Sequence, residues 1–339
     1  MANHKYYFIP KSGKPECFTN IEQALNKRKE NGFLWISFCD PSMEDLFQLN
    51  EPFELHPLSI EDCLDDKQIP KIDFYQSNTF ILFNTFLYSN KELSIDEVNL
   101  FIGEKFLVTV HRSKAENIKL FEQFESILNK NFEIIKSGPA FLLHLILDKI
   151  VDQKLFAIET LEDELDDTEE KMLENETDSN PIELQRLRRD LLSFRKSLFH
   201  EREIILKICR KDSAYIPEKS IVHFKDIYDH LANFFELTEN YREIVKGLIE
   251  MNLSLMNNRM AKSANHTNIT MRRLTFITTI FMPLTLLSGI GGMSEWSMIT
   301  GPENWKITYP LFLFSMAIIG FSSYYLLKWI DKTKSNKEI

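Results

Sequence analysis

Seven residues in the last quarter of the chain are spaced so that they could line a path for an ion. Intervals of three and four residues put them on one side of a nearly straight helix. The first of them are bulky and apolar, and rings of such side chains can close a path by excluding water, whereas the later, smaller ones leave room for a hydrated ion. The same pattern also serves simply to pack membrane helices together. The seven, called the seam below, are Met271, Leu274, Thr278, Met282, Thr285, Gly289 and Gly292.

Two apolar stretches have to position this seam. Residues 274–293 and 307–330 are almost free of charge, and each is long enough to cross a bilayer as a helix, since about 20 residues at 1.5 Å per residue cover ~30 Å. The alternative, a pair of buried core helices, is disfavoured by their length and lack of charge. Two spans in one chain cannot enclose a polar path, so a pore requires several copies around an axis.

Basic residues predict the direction of the two spans. Arg272 and Arg273 precede the first span, and several lysines end or follow the second, whereas the loop between the spans has one lysine. The positive-inside rule then predicts a multi-pass protein of the cell (inner) membrane with both termini in the cytoplasm.

The composition narrows the class of protein. The 339 residues carry a formal net charge of −10, which disfavours a nucleic-acid partner, because duplex binding depends on Lys and Arg, and suits a protein that handles cations. Four widely spaced cysteines without a CxxC pair predict free thiols rather than a zinc cage or a disulfide framework. A Gly-rich phosphate loop, GxSxG and HExxH are absent from the sequence, so we do not expect an enzyme.

The sequence before the two spans divides into two regions with different residue patterns. Residues 1–112 read as a mixed α/β domain with five strands rich in β-branched and aromatic residues, and with short helical stretches near 20–30, 41–49 and 57–65. The last two strands flank Gly103-Glu104-Lys105 and predict a hairpin. Residues 113–216 lack strand signals and predict a helical region.

An acidic helical hairpin is expected within this helical region, with Pro181 starting its return helix. The acidic run is either a solvated face or a surface that attracts cations. Its two apolar stripes are Leu155, Ile158, Leu161, Leu165 and Met172, then Ile182, Leu184, Leu187, Leu191, Phe194 and Leu198.

A very long helix is predicted to connect this region to the membrane. From Ile221 the chain has neither Gly nor Pro until Gly247, and neither again before Pro283. We therefore expect one stalk helix that continues into the first span over residues 217–293, a natural lever for gating. A loop at 294–306, a second span at 307–331 and a tail at 332–339 complete the predicted order.

Three separated stretches carry a resemblance to a known family. "IFMPLTLLSGIGGMS" at 280–294 is similar to the signature of the CorA family of divalent-cation channels, in which IFxPLT leads into a Gly-Met-Asn triplet. "FELHPLSIEDCLDDKQIPKIDFY" at 53–75 and "FKDIYDHLANFFELTENYREIVKGLIE" at 224–250 resemble a motif and the start of the stalk helix of that family. The resemblance implies an α+β membrane protein assembled as a homopentameric funnel, with a long helix lining the pore and a second helix outside it.

The resemblance also implies a filter, and here the chain departs from the family. The asparagine of the family's triplet forms a ring at the outer mouth that holds a hydrated cation, and this chain has Met293 followed by Ser294. A serine hydroxyl accepts hydrogen bonds from the ion's water shell, but it is shorter than an asparagine amide. Glu303 resembles an acid of the family's mouth loop, and Asn268 could line an inner vestibule.

The serine leaves three alternatives open. The first is a channel that still conducts Mg²⁺, with Co²⁺ or Ni²⁺ as further ions. The second is a transporter that favours zinc, as the related ZntB transporters do, and the third is a non-conducting sensor or scaffold. Its partners in each case are copies of itself, the lipid bilayer and divalent cations.

Regulatory acids follow from the resemblance as well. Channels of the family close when Mg²⁺ binds between neighbouring cytoplasmic domains, and the matching positions here are Glu61, Asp62 and Asp226, with Glu250 farther along the stalk. For Glu61 and Asp62, the alternative is an acidic helix start on a surface domain. Compared with the family's pattern, this chain has about seven extra residues between Glu250 and Asn268. They lengthen the stalk by two helical turns, about 10 Å.

Overall fold

The chain forms two compact units. They comprise Met1–Asn252, which carries the β-sheet, and Leu253–Ile339, which holds the later part of the long helix and the last helix. The computed structural model describes residues 4–65, 68–112, 128, 130–174, 181–293, 301 and 303–335.

One seven-stranded sheet organises the first unit. Its order is β2-β1-β3-β7-β6-β5-β4, with β3 and β7 parallel and the other neighbours antiparallel. The five predicted strands are confirmed, whereas the two edge strands were missed because they have only three and four residues. The strands are β1 (Lys5–Pro10), β2 (Glu16–Phe18), β3 (Gly32–Cys39), β4 (Lys71–Phe74), β5 (Thr79–Ser89), β6 (Glu92–Gly103) and β7 (Phe106–His111).

Tight turns fix the register of the central strands. The predicted hairpin is confirmed, since Gly103 pairs with Phe106 across Glu104 and Lys105. β6 begins five residues before the predicted strand, because Asn90 and Lys91 both take left-handed backbone angles and turn β5 directly into it.

Both faces of the sheet are covered by helices. In β5, Ile81 and Phe83 join the core formed with the long helices, whereas Phe80 and Leu82 join the core under the short helices. Burial on both faces explains why β5 reads as a nearly continuous apolar run. The helices are α1 (Ile21–Asn26), α2 (Met43–Phe47), α3 (Asn50–Phe53), α4 (Pro57–Asp62), α5 (Phe132–Ile135), α6 (Pro139–Glu174), α7 (Pro181–Cys209), α8 (Glu218–Gly291) and α9 (Trp305–Ser335).

The predicted helical hairpin is confirmed as α6 and α7, with Pro181 at the start of the return helix. Two members of its predicted apolar stripes do not join the core. Leu155 is 38% exposed and Ile182 is 78% exposed. Ile182 lies in the first turn of α7, and Leu155 lies off the side of α6 that packs on the sheet and its neighbouring helices.

The predicted stalk is a single helix, α8, of 74 residues. It continues through Pro283, where the ring removes one backbone donor, and ends at Gly291 rather than at the predicted Met293. The amide nitrogen of Gly292 still donates to the Ser288 carbonyl at 3.0 Å, and that of Met293 donates to the Ile290 carbonyl at 3.2 Å, so turn-type hydrogen bonds continue to Met293. Both α8 and α9 contain a segment long and apolar enough to cross a membrane.

Candidate functional site

Five predicted residues lie along one open groove on α8. The groove is lined by exposed apolar side chains with few polar groups among them. Met271 and Leu274, the first two members of the seam, are also exposed, one to two turns earlier on the helix. The predicted residues in the groove are Thr278, Met282, Thr285, Gly289 and Met293.

The threonines of the groove present acceptor oxygens. The Thr278 hydroxyl donates to the Leu274 carbonyl at 3.0 Å, and the Thr285 hydroxyl donates to the Phe281 carbonyl at 2.8 Å. Because each hydroxyl proton is used within the helix, the lone pairs that remain on the oxygens can accept hydrogen bonds from outside it. Water in the shell of a cation offers such donors.

The opposite side of α8 packs against α9. A Cβ placed on Gly291 would lie 2.8 Å from the Phe312 ring, and one placed on Gly320 would lie 3.7 Å from Leu284. At 3.6 residues per turn, Leu284 and Gly291 project from the side of α8 away from Thr285. The contact with α9 therefore leaves the groove uncovered within one chain.

The outer end of the seam is described in part. Gly292 and Met293 follow the helix and are exposed, and Glu303 is exposed just before α9. Ser294, the residue predicted to stand at the filter, lies outside the described residues.

Glu61 and Asp62 end α4 rather than begin it, so the alternative of an acidic helix start is wrong. The His56 side chain and Pro57 fix the beginning of this helix, since the Leu58 amide donates to His56 Nδ1 at 3.3 Å. Carboxylates gain nothing from the helix dipole at this end, so their presence calls for a different partner.

A lysine supplies that partner for one of the two acids. Lys71 Nζ lies 2.6 Å from Asp62 Oδ2. Partial burial opposes the charge on Lys71, but the hydrogen bond and attraction from Asp62 outweigh it and raise the pKa of Lys71. Glu61 remains exposed beside this pair.

Asp226 lies on α8, and its side chain is 68% exposed. His230 Nε2 stands 3.7 Å from its carboxylate, one turn along the helix. Asp148 of α6 lies close enough to be influenced by it: burial raises the pKa of Asp148, and the negative charges of Asp152 and Asp226 raise it further. Sequence reasoning missed Asp148, although an acid in the apolar segment "LLHLILDKIVD" is a readable signal.

The predicted acids do not form a metal site within one chain. Over the ranges that the structure describes, no three His, Cys, Asp or Glu side chains are grouped closely enough to hold a metal ion. Glu250 and Asn268 are both exposed on α8. What one chain offers is therefore the exposed carboxylates of Glu61, Asp226 and Glu250, available to a ligand or to another chain, and that of Asp62, which is paired with Lys71.

Comparisons with known proteins agree over nearly the whole length. The sequence model of a family described as "CorA-like Mg²⁺ transporter protein" matches residues 30–329. The chain is 32% identical over 307 residues to the cobalt/magnesium transport protein CorA of Thermotoga maritima, covering 89% of this chain and 84% of that protein.

Two solved structures share the fold. The complete CorA magnesium transporter of Methanocaldococcus jannaschii superimposes with a TM-score of 0.69 at 23% identity, covering 96% of this chain and 97% of that one. The cytoplasmic domain of ZntB from Vibrio parahaemolyticus superimposes with a TM-score of 0.57 at 12% identity, covering 76% of this chain and 98% of that one.

Proposed function

The chain belongs to the CorA family of metal-ion transporters, and on that premise we propose that it is a divalent-cation channel that conducts Mg²⁺ first, with Co²⁺ and Ni²⁺ as further ions. The observation that carries the proposal is the open groove of α8, with its inward-bonded threonines on the side away from α9. Such a surface needs copies of itself to become a closed path.

A homopentamer supplies those copies. One α8 from each chain lines the axis with the seam, and α9 lies outside. Mg²⁺ gives up its water reluctantly, so neutral acceptor oxygens can select it by its hydration shell. Thr278 and Thr285 serve this purpose inside the pore, and Ser294 does so at the mouth, with Glu303 collecting cations at the outer loop.

Residues 1–216 and the first part of α8 lie in the cytoplasm in this assembly, as do the two termini, and the 294–306 loop faces outside. Glu61, Asp62, Asp226 and Glu250 then act between neighbouring subunits. When no ion is bound, these carboxylates repel one another across the boundary. Mg²⁺ that bridges them, partly through water, ties the subunits together and closes the pore. The charge of Asp226 contributes to the raised pKa of Asp148, and Asp148 adds to the negative potential of this surface.

Uptake into liposomes tests the proposal. The purified native protein and Ser294→Asn are reconstituted side by side, and the influx of Mg²⁺, Zn²⁺, Co²⁺ and Ni²⁺ is followed with and without Mg²⁺ inside. We expect Mg²⁺ influx through the native protein, suppressed by internal Mg²⁺.

Each of the other outcomes would indicate a different function for this protein. Influx of Zn²⁺ alone would make this a zinc transporter. Silence in the native protein with influx through Ser294→Asn would mean that the scaffold is intact and the filter was lost. Silence in both would refute transport and leave a membrane-anchored sensor.

A further inference from the structure

Two histidines from different helices face each other at the base of α8. The ring centroids of His144 (α6) and His223 (α8) lie 4.9 Å apart, with 31° between the ring planes. His144 is 8% exposed, and its Nδ1 atom is buried without a hydrogen-bond partner. Both residues belong to the first compact unit.

The surroundings of the pair are apolar and aromatic. The His144 ring lies 6.0 Å from the Phe224 ring, and the His223 ring lies 5.9 Å from the Phe141 ring, both edge-on. A buried polar atom without a partner costs free energy unless a ligand or water satisfies it. The unsatisfied Nδ1 atom is therefore open to a ligand.

The protonation state of His144 suits a metal ligand. Burial first, and then the nearby His223, lower the pKa of His144 to about 4, against the opposing effect of the Asp226 charge. The ring is therefore neutral at pH 7 with a lone pair available, which is the form of histidine that ligates metals. Asp226, three residues after His223, adds negative potential next to the pair.

We propose that His144 and His223 form a two-imidazole site for a transition-metal dication such as Ni²⁺, Zn²⁺ or Co²⁺. Imidazole nitrogens suit these ions, whereas Mg²⁺ prefers oxygen ligands. Since no third ligating side chain converges with them in the described part of the chain, water completes the coordination. A bound ion ties the first turns of α8 to α6 and stabilises the folded unit.

Calorimetric titration of the full-length, tag-free protein in detergent tests the site. Ni²⁺ is added with Mg²⁺ at saturation, so that oxygen-ligand sites are already filled. We expect one Ni²⁺ per chain, bound more tightly than Co²⁺ as the Irving–Williams order requires. His144→Phe and His223→Phe should each weaken binding by at least about tenfold, since each removes a direct ligand.

The controls separate this site from its surroundings. His266→Phe changes the same residue type on an exposed part of α8 and should leave Ni²⁺ binding unchanged. Asp226→Asn alters the proposed Mg²⁺ surface and should keep the stoichiometry, so failure of the channel proposal and failure of this one are distinguishable. Ni²⁺ should also raise the Tm of the native protein and not that of either histidine variant.

Two results would overturn the assignment. One is a native protein that binds no Ni²⁺ once Mg²⁺ is saturating. The other is unchanged binding in both histidine variants, with loss in Asp226→Asn instead. If His144→Phe does not fold, His223→Gln, at a partly exposed position, carries the same test.

Discussion

Lys154 Nζ of α6 lies 2.6 Å from Glu201 Oε1 of α7, and neither side chain is exposed to solvent. Lys154 also donates to the backbone carbonyl of Asn84 at 2.6 Å, and the backbone N–H of Asn84 donates to the same Glu201 oxygen at 3.0 Å. The pair thus fastens both long helices to the backbone of β5. The Lys154 ammonium stands 4.3 Å from the centroid of the Phe83 ring, which adds a cation–π contact.

Removing the cation of this pair should be costly. Lys154→Met leaves Glu201 buried and unpaired, and we expect a loss of about 3–5 kcal/mol in the free energy of unfolding. Chemical unfolding followed by circular dichroism measures it. Adding Glu201→Gln removes the buried charge but keeps an acceptor for the backbone N–H of Asn84. The double variant should therefore recover at least half of the lost free energy of unfolding.

An exposed ion pair provides the matched control. Lys211 and Glu218 form one at 2.5 Å between exposed side chains, and Lys211→Met should cost less than about 1 kcal/mol. Equal costs for the two lysine variants would show that burial of the Lys154 pair has no energetic consequence.

Position 103 needs a glycine because the Phe106 ring leaves no room for a side chain there, and not because of its own backbone angles. A Cβ at this position would lie 2.2 Å from the Phe106 ring, and that ring packs on Phe53 with centroids 4.5 Å apart. Gly103→Ala should therefore destabilise the protein by about 1–3 kcal/mol through overpacking.

A second glycine sets the baseline for this test. Gly247 lies inside α8, and a Cβ there would meet nothing within 4 Å. Gly247→Ala should stabilise the helix by about 0.5–1 kcal/mol. We therefore predict that the two substitutions change the free energy of unfolding in opposite directions. A stabilising Gly103→Ala in the same unfolding experiment would contradict this prediction.

Acid should destabilise the first unit through His144. Its pKa is about 4 in the folded protein, below the ordinary histidine value, so the unfolded chain binds more protons between these values. The contribution of His144 to the free energy of unfolding is fully present above pH ~6.5. It is lost as the pH falls toward 4, which lowers the free energy of unfolding by up to about 3 kcal/mol. His223 and Asp226 lie near the ring and influence its pKa, so the comparison must be with a variant.

His144→Phe is that variant. Unfolding of both proteins is measured with a chelator present at neutral pH and near pH 4.5. The native protein should lose more stability than His144→Phe on acidification. An equal loss in the two proteins would assign the acid sensitivity to other groups.

The sequence predicts this fold well where the pattern is long and regular, and poorly where a distant contact decides. The stalk, the helical hairpin and the strands β5 and β7 follow from uninterrupted local patterns. The early start of β6 depends on left-handed angles at Asn90 and Lys91, which neither residue type announces by itself. Asp148 and Asp226 are separated by most of two helices along the chain, so only the packing of α6 on α8 makes them neighbours.

The seam was readable for a similar reason. Four of the seven seam residues, Thr278, Met282, Thr285 and Gly289, share one groove because helical periodicity alone determines which side chains share a face. The end of α8 was predicted two residues too late: the helix ends at Gly291, where a side chain would meet the Phe312 ring of α9. No local pattern near Met293 contains that contact.

The threonine acceptors of the groove give the sharpest test of conduction. Thr285→Val keeps the shape of the side chain and removes the oxygen that faces the groove. Each lost hydrogen bond is worth about 1 kcal/mol. Around the proposed ring of five chains, Mg²⁺ influx into liposomes should therefore fall at least about tenfold, whereas Thr285→Ser should retain it. Thr279→Val, which does not line the groove, is the matched control and should conduct as the native protein does. If Thr285→Val conducts normally, the hydrated ion does not depend on this oxygen, and selection rests on the mouth of the pore.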